Sequence, residues 1–214
     1  MRFLNHILLD GCRFAFIPLI VVLTLVCAGS GGGEQASDFL NRVSFFLFVA
    51  PCLLFAFNGF AKRVYRESVV LRYGRKRILI ISFVALMFIS FILSGISALF
   101  VIIAVPSAVD ETMWYWLCLI CQIFLMGMWF DLLQLMTKRI YAFLLLFLCG
   151  MMEFASTFMP IGIQLSNPLV WNYSLFSEPA YTYGTDILKA IAVAAGLCFA
   201  KKYILVRRTD FFYG

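Results

Sequence analysis

Histidine is nearly missing from this sequence: His6 is the only one in 214 residues. A single imidazole cannot build a histidine-rich metal cluster, and no HExxH or GxSxG run supplies a hydrolase constellation. The phosphate-loop pattern of nucleotide hydrolases is missing too. Gly29, Gly31, Gly32 and Gly33 are followed by no Lys-Ser or Lys-Thr pair and read as a flexible outer turn. Charge is scarce: Asp, Glu, Lys and Arg make up 13% of the chain against 64% apolar residues, where a soluble domain holds about a quarter charged and about half apolar. With a mean hydropathy of +0.97, this composition excludes a soluble globular domain and points to an integral membrane protein. Seven cysteines give no even disulfide framework. Cys27, Cys52, Cys118, Cys121, Cys149 and Cys198 lie in or near apolar runs, where a thiol behaves as a small hydrophobe. Cys118 and Cys121 form a CxxC with no second pair, short of the ligands a zinc site needs. No metal site and no catalytic residue is expected.

The little charge present is concentrated. Ala61 to Arg77 (AKRVYRESVVLRYGRKR) holds seven basic residues and one acid, Glu67. Long apolar runs flank it, so it lies in water between two membrane spans. Short loops rich in Lys and Arg stay on the cytoplasmic side. Alternation of spans then fixes every other loop. Of 17 basic residues, 15 fall in segments placed inside, and six of 11 acids fall outside. The +6 net charge is therefore topology, with some attraction to anionic lipid, and implies no nucleic acid.

The expected architecture is an all-α integral membrane protein, a single transmembrane domain over 1–214: a six-span helical bundle with an N-terminal interfacial helix and both termini cytoplasmic. Residues 1–13 carry Phe3, Leu4, Ile7 and Leu8 at helical spacing among polar residues, as an interfacial helix does. Spans are expected at 14–28, 40–60, 78–105, 114–136, 140–164 and 187–205. The first mimics a signal peptide, with Val26-Cys27-Ala28 before Gly29, and is read as an uncleaved span. Residues 61–77 form the cytoplasmic segment. Residues 166–186 are too aromatic for a solvated loop and are expected to dip into the outer leaflet or cap the bundle.

Two positions stand out within the spans. Glu153 falls midway along the fifth and Asp131 near the inner end of the fourth. A charge in hydrocarbon costs at least about 2.5 kcal/mol, so each needs a partner, a water-filled cavity or a proton. They either line a translocation path or serve packing, with Asp131 reaching inward to Lys138 or Arg139. Gln122, Gln134 and Gln164 read as interhelical hydrogen-bond donors. In the basic stretch, 62–73 contains no Gly or Pro and suits a continuous helix of about three turns. Tyr65, Val69 and Tyr73 would share one face, Arg63 and Glu67 would pair at i, i+4, and Gly74 would stop the helix. It is either a plain positive-inside loop or a docking helix for a cytoplasmic partner.

The order of parts resembles the permease subunit of a type-2 ABC exporter: interfacial helix, six spans, a basic helical loop after the second and a structured outer segment before the sixth. Glu67-Ser68-Val69-Val70-Leu71-Arg72-Tyr73-Gly74-Arg75-Lys76-Arg77 is similar to the cytoplasmic segment of small bacterial permeases of bacteriocin and antimicrobial-peptide export or immunity systems. This resemblance implies a multi-pass protein of the bacterial cytoplasmic membrane, not catalytic by itself. Its coupling residues would be Arg63, Val64, Tyr65, Arg66, Glu67, Ser68, Val69, Val70, Leu71, Arg72, Tyr73 and Gly74. They would dock on a separate cytoplasmic ABC ATPase that holds the ATP and Mg. A second permease chain, the same or different, would complete the path. Glu153 and Asp131 would face that path, and Pro160, Trp171, Tyr173 and Pro179 would belong to the outer gate. The cargo would be hydrophobic or peptidic. The resemblance departs from members with large extracellular domains, because the outer loops here are small. Two other readings use the same spans: a non-transporting immunity, sensor or assembly factor, and an intramembrane enzyme or proton-coupled carrier that would need Glu153 or Asp131 to titrate.

Overall fold

The computed structural model describes residues 17–25, 45–104, 109–156 and 183–207. Among them every regular element is helical. The helices are α1 (17–25), α2 (Phe45–Val64), α3 (Glu67–Tyr73), α4 (Arg75–Ala104), α5 (Val109–Met136), α6 (Arg139–Ser156) and α7 (Tyr183–Arg207). Three apolar stretches are long enough to cross a membrane: Phe45–Val64, Lys76–Ile103 and Trp116–Met136. The 30 residues of α4 span about 45 Å, more than a bilayer's hydrocarbon core. The expected segments 1–13 and 166–186, with the gate residues Pro160, Trp171, Tyr173 and Pro179, lie outside the described residues.

α2 opens with wider π-helical turns over Phe45–Val49 before becoming regular at Ala50. Pro51 sits at that junction. It brings no N–H to the carbonyl four residues back, and widening the turn relieves the clash of its ring.

α5 is the central helix. It packs along α4 and α7 and also meets α2 and α6. Its apolar residues lie on every face, the pattern of a helix enclosed by others, and Cys118, Leu119, Ile123 and Leu125 have no exposed surface. Against it α4 turns the buried serines Ser82, Ser90, Ser94 and Ser97. Small residues let two helices approach closely in lipid, and their hydroxyls bond across the seam. Ser94 accepts from the Trp116 indole at 3.2 Å. The other side of α4 exposes Ile80, Val84, Phe88, Phe91 and Ile103, which suits contact with acyl chains.

The basic segment is bent rather than continuous. α2 runs on to Val64, Arg66 turns extended (φ −65°, ψ 135°), and α3 starts at Glu67. The Arg66 carbonyl accepts from the Val69 and Val70 amides at 2.9 and 3.0 Å and so begins the new helix. The break has a packing cause. In one continuous helix, Val64 and Val70 would point about 120° apart. With the break both are buried in the same core, at 0% and 6% exposure. Arg63 and Glu67 thereby fall on different helices. Gly74 ends α3, donating to the Val70 carbonyl at 2.9 Å, and its own carbonyl accepts from Ile78 at 3.2 Å at the start of α4. Its φ of 73° and ψ of 156° fall where essentially only glycine is at ease. Nothing lies within 4 Å of where a Cβ would be, so strain and not space opposes a side chain. Gly74→Ala is expected to cost about 1–3 kcal/mol, measured as a lowered unfolding midpoint in detergent.

Candidate functional site

At the elbow end of the bundle three helices bring charged and polar groups together. Asp131 comes from α5, Lys201 from α7 and Ser82 from α4. Asp131 and Lys201 are each 2% exposed. One carboxylate oxygen, Oδ2, accepts from the Lys201 ammonium and from the Ser82 hydroxyl, the latter at 2.7 Å. The other, Oδ1, accepts from Gln134 Nε2 at 2.6 Å, one helical turn on. The Lys201 ammonium also contacts Ser82 Oγ and lies 5.7 Å from the centre of the Tyr65 ring, within cation–π range. Asp131 therefore does not reach for Lys138 or Arg139, both of which are exposed.

Tyr65 ties this cluster to the elbow. It occupies the turn between α2 and α3, one residue beyond the apolar span. Its hydroxyl is enclosed beside Ser82 and Asp131 yet makes no hydrogen bond of normal geometry. Burial pushes the phenol well above its ordinary pKa, and the Asp131 charge adds to the rise. The group stays protonated at neutral pH, a donor poised beside a carboxylate it does not yet hold.

The pair has no net charge but both ions have lost water. Such a pair is weak evidence for stability, because desolvation offsets much of the attraction; parting the ions leaves each charge buried and alone. Any motion that separates α5 from α7 must therefore break the cluster outright or keep it whole. It acts as a two-position latch, not a spring.

The coupling residues are distributed around this latch. Val64 is fully buried, Val70 nearly so, and Arg63, Tyr65, Val69 and Tyr73 are half-buried. Arg66 and Arg72 are exposed, and the Arg72 guanidinium lies 5.8 Å from the centre of the Tyr73 ring. Glu67, Ser68 and Leu71 belong to α3, with side chains outside the described residues. Glu153 lies in α6, its side chain likewise outside them. Among the described residues no group of three His, Cys, Asp or Glu could hold a metal ion.

Lys201 and Ser82 were not among the sequence candidates. Lys201 stands in a run with Lys202, Arg207 and Arg208, which reads as an inner-membrane flank. The signal that separates it is its register: Leu197, Lys201 and Leu205 recur every four residues and are all buried, while Lys202 and Tyr203 are exposed. No protein family, curated sequence or solved structure matches this chain.

Proposed function

We propose that this chain is the membrane-embedded permease subunit of an ATP-driven exporter, crossing the bacterial cytoplasmic membrane six times with both termini inside. A separate ABC ATPase, carrying ATP and Mg, grips the basic elbow, and a second permease chain completes the path for a hydrophobic or peptide cargo. One observation carries the reading: Tyr65, at the root of the elbow, lies against the buried Lys201–Asp131 pair. A force on α3 has a short route to a polar latch between α5 and α7. Shifting the Tyr65 turn brings its phenol to Asp131 as Lys201 moves off, so one donor replaces another and no carboxylate is stranded. Coupling of this kind needs a bistable element that the distant event biases, and an exchange of partners on one carboxylate supplies it.

The test is purification in mild detergent with mass spectrometry of what comes with it, followed by ATPase assay of the complex in vesicles. An ABC ATPase is expected, with hydrolysis stimulated by the permease and that stimulation lost in Val70→Asp, which drives a charge into the seat of α3. Purification without any ATPase, or full stimulation in the variant, overturns the proposal. The enclosure of the pair within packed helices favours one other reading, a static interaction protein. It is the conclusion to draw if no ATPase is found and Asp131→Asn keeps the biological effect.

A further inference from the structure

A second unusual polar group lies on the opposite side of α5 from this argument, and it does not depend on the exporter reading. Gln122 is 1% exposed, and neither its Nε2 nor its Oε1 has a hydrogen-bond partner. It lines a partly open recess of about 380 Å³ between α2, α5 and α6. The rest of the wall is apolar, with Phe46, Pro51, Leu54, Met126 and Phe147 among its residues, and Cys149 and Gly150 from α6. Buried amides are almost always paired, and leaving both ends of one unpaired is unfavourable. The volume is in the range of small-molecule sites, which combine apolar walls with a few placed polar groups.

We propose that this recess binds a small lipophilic carboxamide. A glutamine side chain presents a donor and an acceptor in one plane. A primary carboxamide presents the same two groups reversed. Its carbonyl accepts from Gln122 Nε2 while its N–H donates to Gln122 Oε1, closing a ring of two parallel bonds. The alkyl or aryl body lies against Phe46, Leu54 and Phe147. An ester or an alkane of equal size satisfies half of Gln122 or none of it. The ligand partitions into lipid first and enters between helices.

Hexanamide is the probe, with hexane, methyl pentanoate and hexanoic acid as comparison arms. Cys149 reports occupancy because it lines the recess; Cys198 on α7 does not and serves as the internal control. The protein in lipid nanodiscs is treated with N-ethylmaleimide, and labelling is read peptide by peptide. Hexanamide is expected to protect Cys149 at about a tenfold lower concentration than hexane, the factor for about 1.4 kcal/mol of hydrogen bonding, and to leave Cys198 unchanged. It should also raise the unfolding midpoint. Hexanoic acid matching hexanamide identifies a protonated carboxylic acid as an equal ligand and overturns the carboxamide assignment.

Gln122→Leu removes the unpaired amide at similar volume. It is expected to unfold later than wild type without ligand and to treat hexanamide and hexane alike. Gly150→Ala supplies a second variant: its new Cβ would sit 3.7 Å from Phe46, an ordinary contact, so the protein folds with a smaller recess and weaker protection. Equal protection by hexanamide and hexane, no protection in either readout, or a preference that survives Gln122→Leu overturns the proposal. The unpaired amide then holds nothing larger than water.

Discussion

Replacing Lys201 with methionine is expected to destabilise the bundle by about 3–5 kcal/mol, while the double replacement Lys201→Met with Asp131→Leu returns it to wild-type stability or above. Methionine keeps most of the apolar stem of Lys201, so packing changes little. What changes is Asp131. It keeps Ser82 and Gln134 as donors but loses the one cation that offsets its charge in an enclosure open to 2%. Removing both partners removes the need for either. The comparison takes four proteins: wild type, each single variant and the double. Reversible unfolding in mixed micelles gives the coupling between the two positions directly. A large negative departure from additivity is the signature of the pair. Two small, additive losses would mean that Lys201 and Asp131 are not bonded in the folded protein. In the exporter reading the double variant also separates stability from action: it should be robust and yet fail to transmit, because an apolar pair has no partner to exchange.

How much of this was legible in the sequence differs from residue to residue. The helical class was legible, because apolar runs of that length in lipid have no other way to satisfy their backbone. Asp131 was legible as a site because an acid stands alone in such a run, and Gln134 three residues on was legible as its neighbour on the same helix face. Lys201 was masked by its surroundings. Four cations near a helix end announce membrane topology, and only the stripe of Leu197 and Leu205 distinguishes the one that turns inward. Ser82 had no signal at all, since α4 carries several serines and only tertiary packing selects the one that meets Asp131. The break at Tyr65–Arg66 was hidden for a different reason. No glycine or proline marks it, and local propensity favours an unbroken helix from 62 to 73. Burial of both Val64 and Val70 overrides that propensity, and burial is a property of the whole bundle. The same rule explains Gln122: an amide in an apolar run reads as an interhelical bond, and only the fold shows that no neighbour reaches it.

The crossing that carries α2, and with it the elbow, against α5 should be the most sensitive to added volume. At Gly127 a Cβ would come within 2.8 Å of Phe57 Cε1 and 3.0 Å of Leu86 Cδ2. Phe57 and Leu86 are both buried, at 0% and 1% exposure. Neither is the loose end of a surface chain, so neither has anywhere to go, and the helices must part. Gly127→Ala is expected to cost about 1–3 kcal/mol, and Gly127→Val more. Gly95 and Gly196 are the proper controls, for nothing lies within 4 Å of a Cβ at either. Alanine there should be neutral or stabilising by up to about 1 kcal/mol through helix propensity. Trimming the opposing ring by Phe57→Leu in the Gly127→Ala background should recover part of the loss, although Phe57→Leu alone is destabilising. That reversal of sign is specific to a steric contact between the two positions, and an additive double variant would show that α2 and α5 do not meet there. The functional consequence follows from where the crossing lies. α2 delivers Tyr65 and α5 delivers Asp131, so a wedge at Gly127 moves the phenol relative to the carboxylate. Gly127→Ala should therefore weaken the permease's stimulation of its ATPase even under conditions where the protein remains folded.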